Sequence, residues 1–276
     1  MNAPWSPRLV ALDVDGTLLA WAVERGGAIE HLTDAVRDAV RAAADAGAHV
    51  VLASGRSIHA MLPVLDALGL GTEADPVWAV AANGAVVFRY PPLEVVHEET
   101  FDAYPAVAAI VAKHPEVMVA VEERGVGYRL NKEFPAGELD GDMILVEDPH
   151  DLVAEPVSRV VIRDPRASVE DFVDMAESLG LHGTNYVVGW TAWLDLAPIG
   201  VDKSSGLAVV CDRLGLDAAD VLAMGDGRND IEMLTWAGRG VAMGQAIEEV
   251  RALADAVTGT VDEDGAATEL RRYFPG

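Results

Sequence analysis

The chain has 276 residues, which at about 100–200 residues per domain suggests two domains. Hydrophobic residues make up 51% and charged residues 24%, the balance of a soluble globular protein able to bury a sizeable core. Twenty Lys and Arg against 45 Asp and Glu leave a formal net charge of −25. That field repels phosphodiester backbones and anionic lipid, so nucleic-acid and membrane-surface binding are not expected. The single cysteine, Cys211, excludes an internal disulfide framework. The first residues lack a basic segment followed by an apolar run, and stretches such as 106–112 are far short of the ~20 residues that span a bilayer. The expectation is a cytoplasmic protein, monomeric or a small homo-oligomer.

Hydrophobic periodicity predicts strands alternating with helices. Residues 8–12 form a short apolar run stopped by Asp13 and Gly16, as in a buried parallel strand. Apolar residues at helical spacing predict a helix over about 32–46, with Thr33 and Asp34 near its start and Gly47 at its end. A strand at 49–53, a helix at 58–68 and a strand at 76–81 complete a β-α-β-α-β order, the signature of a parallel sheet with right-handed crossovers. The pattern changes at Asn83-Gly84. Alternating runs at 85–89 and 94–97 read as antiparallel strands. A helix at about 102–114, strands near 117–121 and 127–130, and a polar loop follow. A strand at 157–162, a helix at about 168–179 and strands near 186–188 and 192–196 come next. After Pro198 the α/β rhythm returns, with helices at about 204–214, 229–236 and 246–253 and strands at 221–224 and 240–243. The expected architecture is α/β: a Rossmann-like parallel-sheet core from 1–84 and 198–276, with an inserted α+β cap domain at 85–197.

The chemistry-bearing residues fall at predicted strand ends, where open α/β sheets bind ligands. Asp13 and Asp15 are i and i+2 of an extended segment, so both carboxylates face one space. Two close negative charges call for a shared cation or proton. An EF-hand reading fails, because Leu18 occupies the position that needs glycine. Ser54-Gly55-Arg56 follows the second strand and offers a hydroxyl, a glycine amide and a guanidinium to an anion. Asn83-Gly84 follows the third strand. Lys203 opens a helix without the upstream glycines of a P-loop. Gly225-Asp226-Gly227-Arg228-Asn229-Asp230 puts two carboxylates and an amide on a strand-to-helix loop, oxygen ligands that suit Mg²⁺. Each motif alone has an ordinary reading as a turn, a cap or a solvated lysine; their alignment along one sheet edge does not.

In this ordered set the sequence resembles the haloacid dehalogenase superfamily of phosphohydrolases, in its Cof-type branch with a large α/β cap. The matching pieces are Asp13-Val14-Asp15-Gly16-Thr17-Leu18-Leu19, Ser54-Gly55-Arg56, Asn83-Gly84-Ala85, Lys203 and Gly225 to Asp230, with the late segment Val241 to Ala246. Two departures are Gln245, where the branch often has Asn, and Arg228 inside the last loop. The resemblance implies that Asp13 attacks phosphorus to form an aspartyl-phosphate. It implies that Asp15 protonates the leaving group and later deprotonates water. Mg²⁺ is then held by the carboxylates of Asp13 and Asp226 and the backbone carbonyl of Asp15, with Asp230 ordering metal waters or Lys203. Ser54, the amides of Val14 and Gly55, Lys203 and Asn229 hold phosphoryl oxygens, and Arg56 and Asn83 are expected to bind substrate. The cap is expected to set specificity, with Arg124, Arg129, Lys132, Trp190 and Trp193 as candidate contacts. The seven histidines show no metal-binding spacing, and Cys211 falls at an apolar helical position. The expected activity is Mg²⁺-dependent hydrolysis of small phosphate monoesters such as sugar phosphates or phosphorylated cofactors. The rivals are a phosphomannomutase-like phosphotransferase and a non-catalytic phosphate-ligand binding protein. A true dehalogenase would need neither Asp15 nor a metal site.

Overall fold

The computed structural model describes residues 5–24, 27–139, 141–164, 166, 168, 170, 184–188 and 193–275, with 21–24, 27–31, 184–188 and 193 by backbone alone. In chain order the strands are β1 (Leu9–Leu12), β2 (Ala20–Glu24), β3 (Gly27–His31), β4 (His49–Ala53), β5 (Val77–Ala81), β6 (Val86–Tyr90), β7 (Glu94–Glu98) and β8 (Met118–Glu123). They continue with β9 (Gly127–Leu130), β10 (Asp142–Leu145), β11 (Val160–Arg163), β12 (Thr184–Val188), β13 (Trp193–Pro198), β14 (Val221–Gly225), β15 (Arg239–Ala242) and β16 (Ala256–Val257). The helices are α1 (Asp34–Asp45), α2 (Ile58–Leu68), α3 (Tyr104–Lys113), α4 (Lys203–Leu214), α5 (Ile231–Trp236), α6 (Glu248–Leu253) and α7 (Gly265–Leu270). The chain divides into two compact units. One comprises Met1–Gly55, Leu62–His97 and Asp202–Gly276; the other comprises Arg56–Met61 and Glu98–Val201.

The first unit is built on an eight-stranded sheet in the order β16-β15-β14-β1-β4-β5-β6-β7. β1 lies between β14 and β4, parallel to both, with Leu12 opposite Met224 on one side and Leu52 on the other. This shared register brings Asp13, Ser54 and Asp226, each at or just beyond its strand's last residue, to one edge. Strands covered on both faces read as unbroken apolar runs, and Leu9, Val10, Ala11 and Leu12 are all fully buried. α1 starts where the sequence provides a cap: Thr33 Oγ1 accepts from Val36 N at 3.2 Å. Its buried residues Val36, Ala39, Val40 and Ala43 repeat at helical spacing. α4 starts in the same way, because Asp202 Oδ1 accepts from Ser205 N at 3.0 Å while Ser205 Oγ accepts from Asp202 N at 3.1 Å. That capping box fixes Lys203 as the first residue of the helix.

The structure moves the expected domain boundaries. β6 turns back antiparallel on β5, pairing Ala81 with Val86, and so extends the first sheet rather than opening an insert at residue 85. The change from parallel to antiparallel pairing, read from sequence as a new domain, is a change of direction within one sheet. The first unit resumes at Asp202 rather than 198, because β13 runs on to Pro198 in the second unit's sheet. The antiparallel pair β2–β3, with Ala20 opposite His31, was not predicted, and neither were β10, β16 and α7. The helix expected at about 168–179 lies outside the described residues.

The second unit is α+β. Its six-stranded sheet has the order β10-β9-β8-β11-β13-β12, antiparallel except where β10 joins β9. Val119, Val121, Val160, Ile162, Leu194 and Leu196 face Val107 and Ile110 of α3 in one core. The other face carries a buried ion cluster: Arg159 Nε donates to Asp195 Oδ1 at 2.9 Å and Nη1 donates to the Tyr128 hydroxyl at 3.1 Å. Among the described residues no helix is long and apolar enough to cross a membrane.

A candidate active site at one edge of the parallel strands

Asp13 continues β1, its N–H donating to Met224 O at 3.0 Å. The chain then folds tightly: Val14 O accepts from Leu18 N and Leu19 N at 3.0 and 2.9 Å, and Gly16 N donates to Leu19 O at 3.0 Å. Gly16 is required in this turn. Its φ is +78°, and a Cβ there would lie 2.2 Å from Asp226 Oδ2. The glycine therefore lets the Asp13 loop approach the Asp226 loop.

Lys203 ties the two loops together. Its Nζ donates to Asp13 Oδ1 and to Asp230 Oδ1, both at 2.6 Å, and the side chain is fully buried. A cation in the first turn of a helix meets the positive end of the helix dipole, and burial pulls its pKa down. Asp13 and Asp230 outweigh both and hold the ammonium above its usual pKa. Asp230, also fully buried, uses its other oxygen to accept from Asp226 N at 3.0 Å and Gly227 N at 2.9 Å. One carboxylate thus closes the glycine-rich loop and orients the lysine.

Burial, then repulsion from Asp230, raises the Asp13 carboxyl well above its usual pKa against the opposing pull of Lys203. Burial and Asp230 likewise push Asp226 up to about 6, opposed by a hydrogen bond from Gln245 and by Lys203. Asp13, Asp226 and Asp230 each offer a carboxylate oxygen within 4.8 Å of the others. Three carboxylates face one ammonium, and this donor set, all hard oxygen and short of positive charge, fits a divalent cation such as Mg²⁺. Among the described residues no histidine joins the cluster.

The phosphate-cradle candidates lie in the same unit. Ser54 is buried, its N–H donating to Val80 O at 2.9 Å and its carbonyl accepting from Asn83 N at 3.0 Å. Asn229 Nδ2 donates to Asn83 Oδ1 at 2.9 Å. Asp15 follows Asp13 in the tight loop, half-buried, with its side chain outside the carboxylate trio. Arg56 belongs to the second unit, where its Nη1 donates to Ala60 O at 3.4 Å. Of the expected specificity residues, Arg124 pairs with Glu98 at 2.6 Å, Arg129 with Glu123 at 3.0 Å and Lys132 with Glu116 at 3.4 Å. Trp190 and the side chain of Trp193 lie outside the described residues. Cys211 is a buried thiol in the core of the first unit.

Two contributors escaped the sequence reading. Thr17 is fully buried, its hydroxyl 3.5 Å from Asp13 Oδ2. Gln245, noticed only as a departure from a pattern, cross-braces the site. Its Nε2 donates to Gly16 O at 2.6 Å and Asp226 Oδ2 at 3.1 Å, and its Oε1 accepts from Val261 N at 3.0 Å.

A family model described as haloacid dehalogenase-like hydrolase matches residues 10–270. The chain belongs to this family. Within it the Cof-type branch is the one that applies, and the protein is an enzyme of the hydrolase class. The 5-amino-6-(5-phospho-D-ribitylamino)uracil phosphatase YcsE of Bacillus subtilis is 28% identical, over 96% of this chain and 95% of its own. BT1666 of Bacteroides thetaiotaomicron, studied among the phosphatases of the superfamily, is 26% identical with a TM-score of 0.77, over 97% of this chain and 95% of its own. A haloacid dehalogenase-like hydrolase from the same organism has the same fold, with a TM-score of 0.80 at 24% identity, over 98% of this chain and all of its own.

Proposed function

We propose that this haloacid dehalogenase-like hydrolase is a Mg²⁺-dependent phosphatase of small phosphate monoesters that works through an aspartyl-phosphate on Asp13. The observation that carries the reading is the buried Lys203 ammonium shared by Asp13 and Asp230 at 2.6 Å each. It fixes one nucleophile oxygen and places a positive charge where phosphoryl oxygens would gather. The carboxylate of Asp13 attacks phosphorus as the ester P–O bond breaks, and Asp15 gives its proton to the departing alkoxide. Water then attacks the phosphorus of the aspartyl-phosphate and loses a proton to Asp15, which regenerates both carboxyl groups and releases inorganic phosphate. Ser54, the amides of Val14 and Gly55, Lys203 and Asn229 hold the phosphoryl oxygens. The carboxylates of Asp13 and Asp226 and the carbonyl of Asp15 would hold Mg²⁺, with Asp230 supporting them from behind. When bound, the ion supplies positive charge that offsets repulsion between carboxylate and phosphate.

YcsE, named for a phosphorylated ribitylaminouracil, supports sugar phosphates or phosphorylated cofactors as the substrate class. Selection among them falls to the second unit, including Arg56. The −25 charge favours a small-molecule substrate over nucleic acid or an anionic membrane surface. The test is inorganic phosphate release from a panel of monoesters, with Mg²⁺, with EDTA, and in the Asp13→Asn variant. Release that requires both the metal and Asp13 is expected. Phosphoryl exchange between sugar positions without release would make the enzyme a mutase, and tight ligand binding without turnover would make it a sensor.

A further inference from the structure

The turn after β5 places three successive residues in the left-handed region: Ala82 at φ +50°, Asn83 at +52° and Gly84 at +105°. All three are buried. Residues other than glycine hold this conformation only where their surroundings enforce it. Here the surroundings are the phosphate cradle. Asn83 N donates to the carbonyl of Ser54 at 3.0 Å, and Asn83 Oδ1 accepts from Asn229 Nδ2 at 2.9 Å. A Cβ on Gly55 would lie 3.0 Å from Asn83 Oδ1, and one on Gly84 would lie 1.9 Å from Asp202 O, the residue that caps α4 just before Lys203. One turn therefore touches Ser54, Gly55 and Asn229 and packs on the residue preceding Lys203. Asn83 is 9% exposed, with its carbonyl oxygen already engaged.

We propose that Asn83 is a positioning residue rather than a substrate contact: it holds the side-chain amide of Asn229 toward the phosphate, from a backbone turn that also fixes Ser54. The inference rests on the assignment of Asn229 and Ser54 to the phosphate cradle. Asparagine suits the position because it tolerates the left-handed backbone and offers a neutral acceptor. Aspartate would add a charge that repels phosphate.

The test compares wild type, Asn83→Gly, Asn229→Ala and the double variant. Glycine keeps the backbone conformation and removes only the acceptor. We expect Asn83→Gly to weaken inorganic phosphate binding, measured calorimetrically with Mg²⁺ present, and to raise KM, each by about tenfold, the worth of one buried hydrogen bond. The fall in kcat should be smaller. In the Asn229→Ala background the same substitution should change either quantity less than about twofold, because coupled residues are not additive. Effects that multiply, or unchanged phosphate binding in Asn83→Gly, would overturn the proposal. The Asn229 side-chain amide signal in ¹⁵N NMR reads the coupling without turnover. Its protection from exchange should be lost in Asn83→Gly and kept in Asn83→Asp, which retains backbone and acceptor; loss in both, or in neither, refutes the contact. If Asn229→Ala binds phosphate like wild type while the amide signal behaves as expected, the cradle assignment fails, and the positioning role fails with it, although the contact itself stands.

Discussion

Asp226→Asn should make the metal-free protein more stable while removing its response to Mg²⁺. Asp226 is pushed up to about 6 from an ordinary 3.8, chiefly by burial and then by Asp230. A folded-state pKa above the unfolded value means that the native protein binds more protons than the unfolded chain between about pH 4 and 6, so stability falls as pH rises through that window. At about 1.4 kcal/mol per pKa unit, keeping Asp226 ionised at pH 7 costs on the order of 3 kcal/mol. Asparagine is isosteric, does not titrate, and keeps an oxygen to accept from Gln245 Nε2, now at 3.1 Å. In EDTA at pH 7 the variant should gain as much as about 3 kcal/mol, or roughly 6–12 °C in Tm at 2–4 °C per kcal/mol.

The gain should shrink toward zero as pH falls below about 4.5, where the wild-type carboxyl is protonated. Mg²⁺ at about a thousand times Kd should reverse the ranking, since binding there adds about 4.1 kcal/mol to the protein that holds the ion. Urea and thermal melts of both proteins at pH 5, 6 and 7.5, in EDTA and in Mg²⁺, decide the matter. A variant less stable than wild type in EDTA at pH 7.5, or a difference that does not vary with pH, would refute the electrostatic account of the site.

Gln245→Ala removes the brace that joins Asp226 Oδ2 to the Gly16 carbonyl. Loss of a group that orients a ligand typically weakens metal affinity 10–100-fold, and a Mg²⁺ titration of Tm should show that shift with little change in the metal-free melt. In the second unit, Asp195→Ala leaves the buried Arg159 guanidinium without its closest carboxylate. Breaking a buried pair on one side costs about 3–5 kcal/mol, which chemical denaturation should detect; Asp195→Asn, which keeps one acceptor, should lose less.

The site was readable where chemistry and turn signals coincide on short segments. Asp13, Ser54, Asp226 and Lys203 each follow an apolar run that ends in a glycine-containing or capped turn, so their approach at one edge follows from a parallel sheet once its order is known. Strand order is also what the sequence could not give. β6 opens with Val86, Val87 and Phe88, all buried, and nothing local says that it turns back on β5 rather than starting the second unit. β2 was missed although residues 18–23 form a continuous apolar run, because that run follows directly on the Asp13 loop with no predicted helix between. β10 was hidden in a segment of Pro, Gly and Asp. Gln245 and Asn83 carry little chemistry in isolation, and their roles come from partners distant in sequence: Gly16 for one, Asn229 for the other.

The cost of the carboxylates bears on what the site does. A protein that only captured a phosphate dianion would gain by replacing Asp13, whose pKa burial and then Asp230 raise and whose charge would repel the ligand. Lys203, Ser54 and backbone amides would be a better trap without it. Surface charge adds to the difficulty, although salt screens distant groups over about 8 Å and leaves the buried ones at full strength. Retaining Asp13 is favourable only if it reacts with phosphorus or holds a cation, and the hydrolase reading requires both. The melts in EDTA test the electrostatic half of that argument, and loss of phosphate release in Asp13→Asn tests the chemical half. A stabilised Asp13→Asn protein that still bound phosphate with Mg²⁺ but released none from a monoester would show the carboxylate kept for reaction at the expense of stability. A variant that lost stability along with turnover would show it kept for structure.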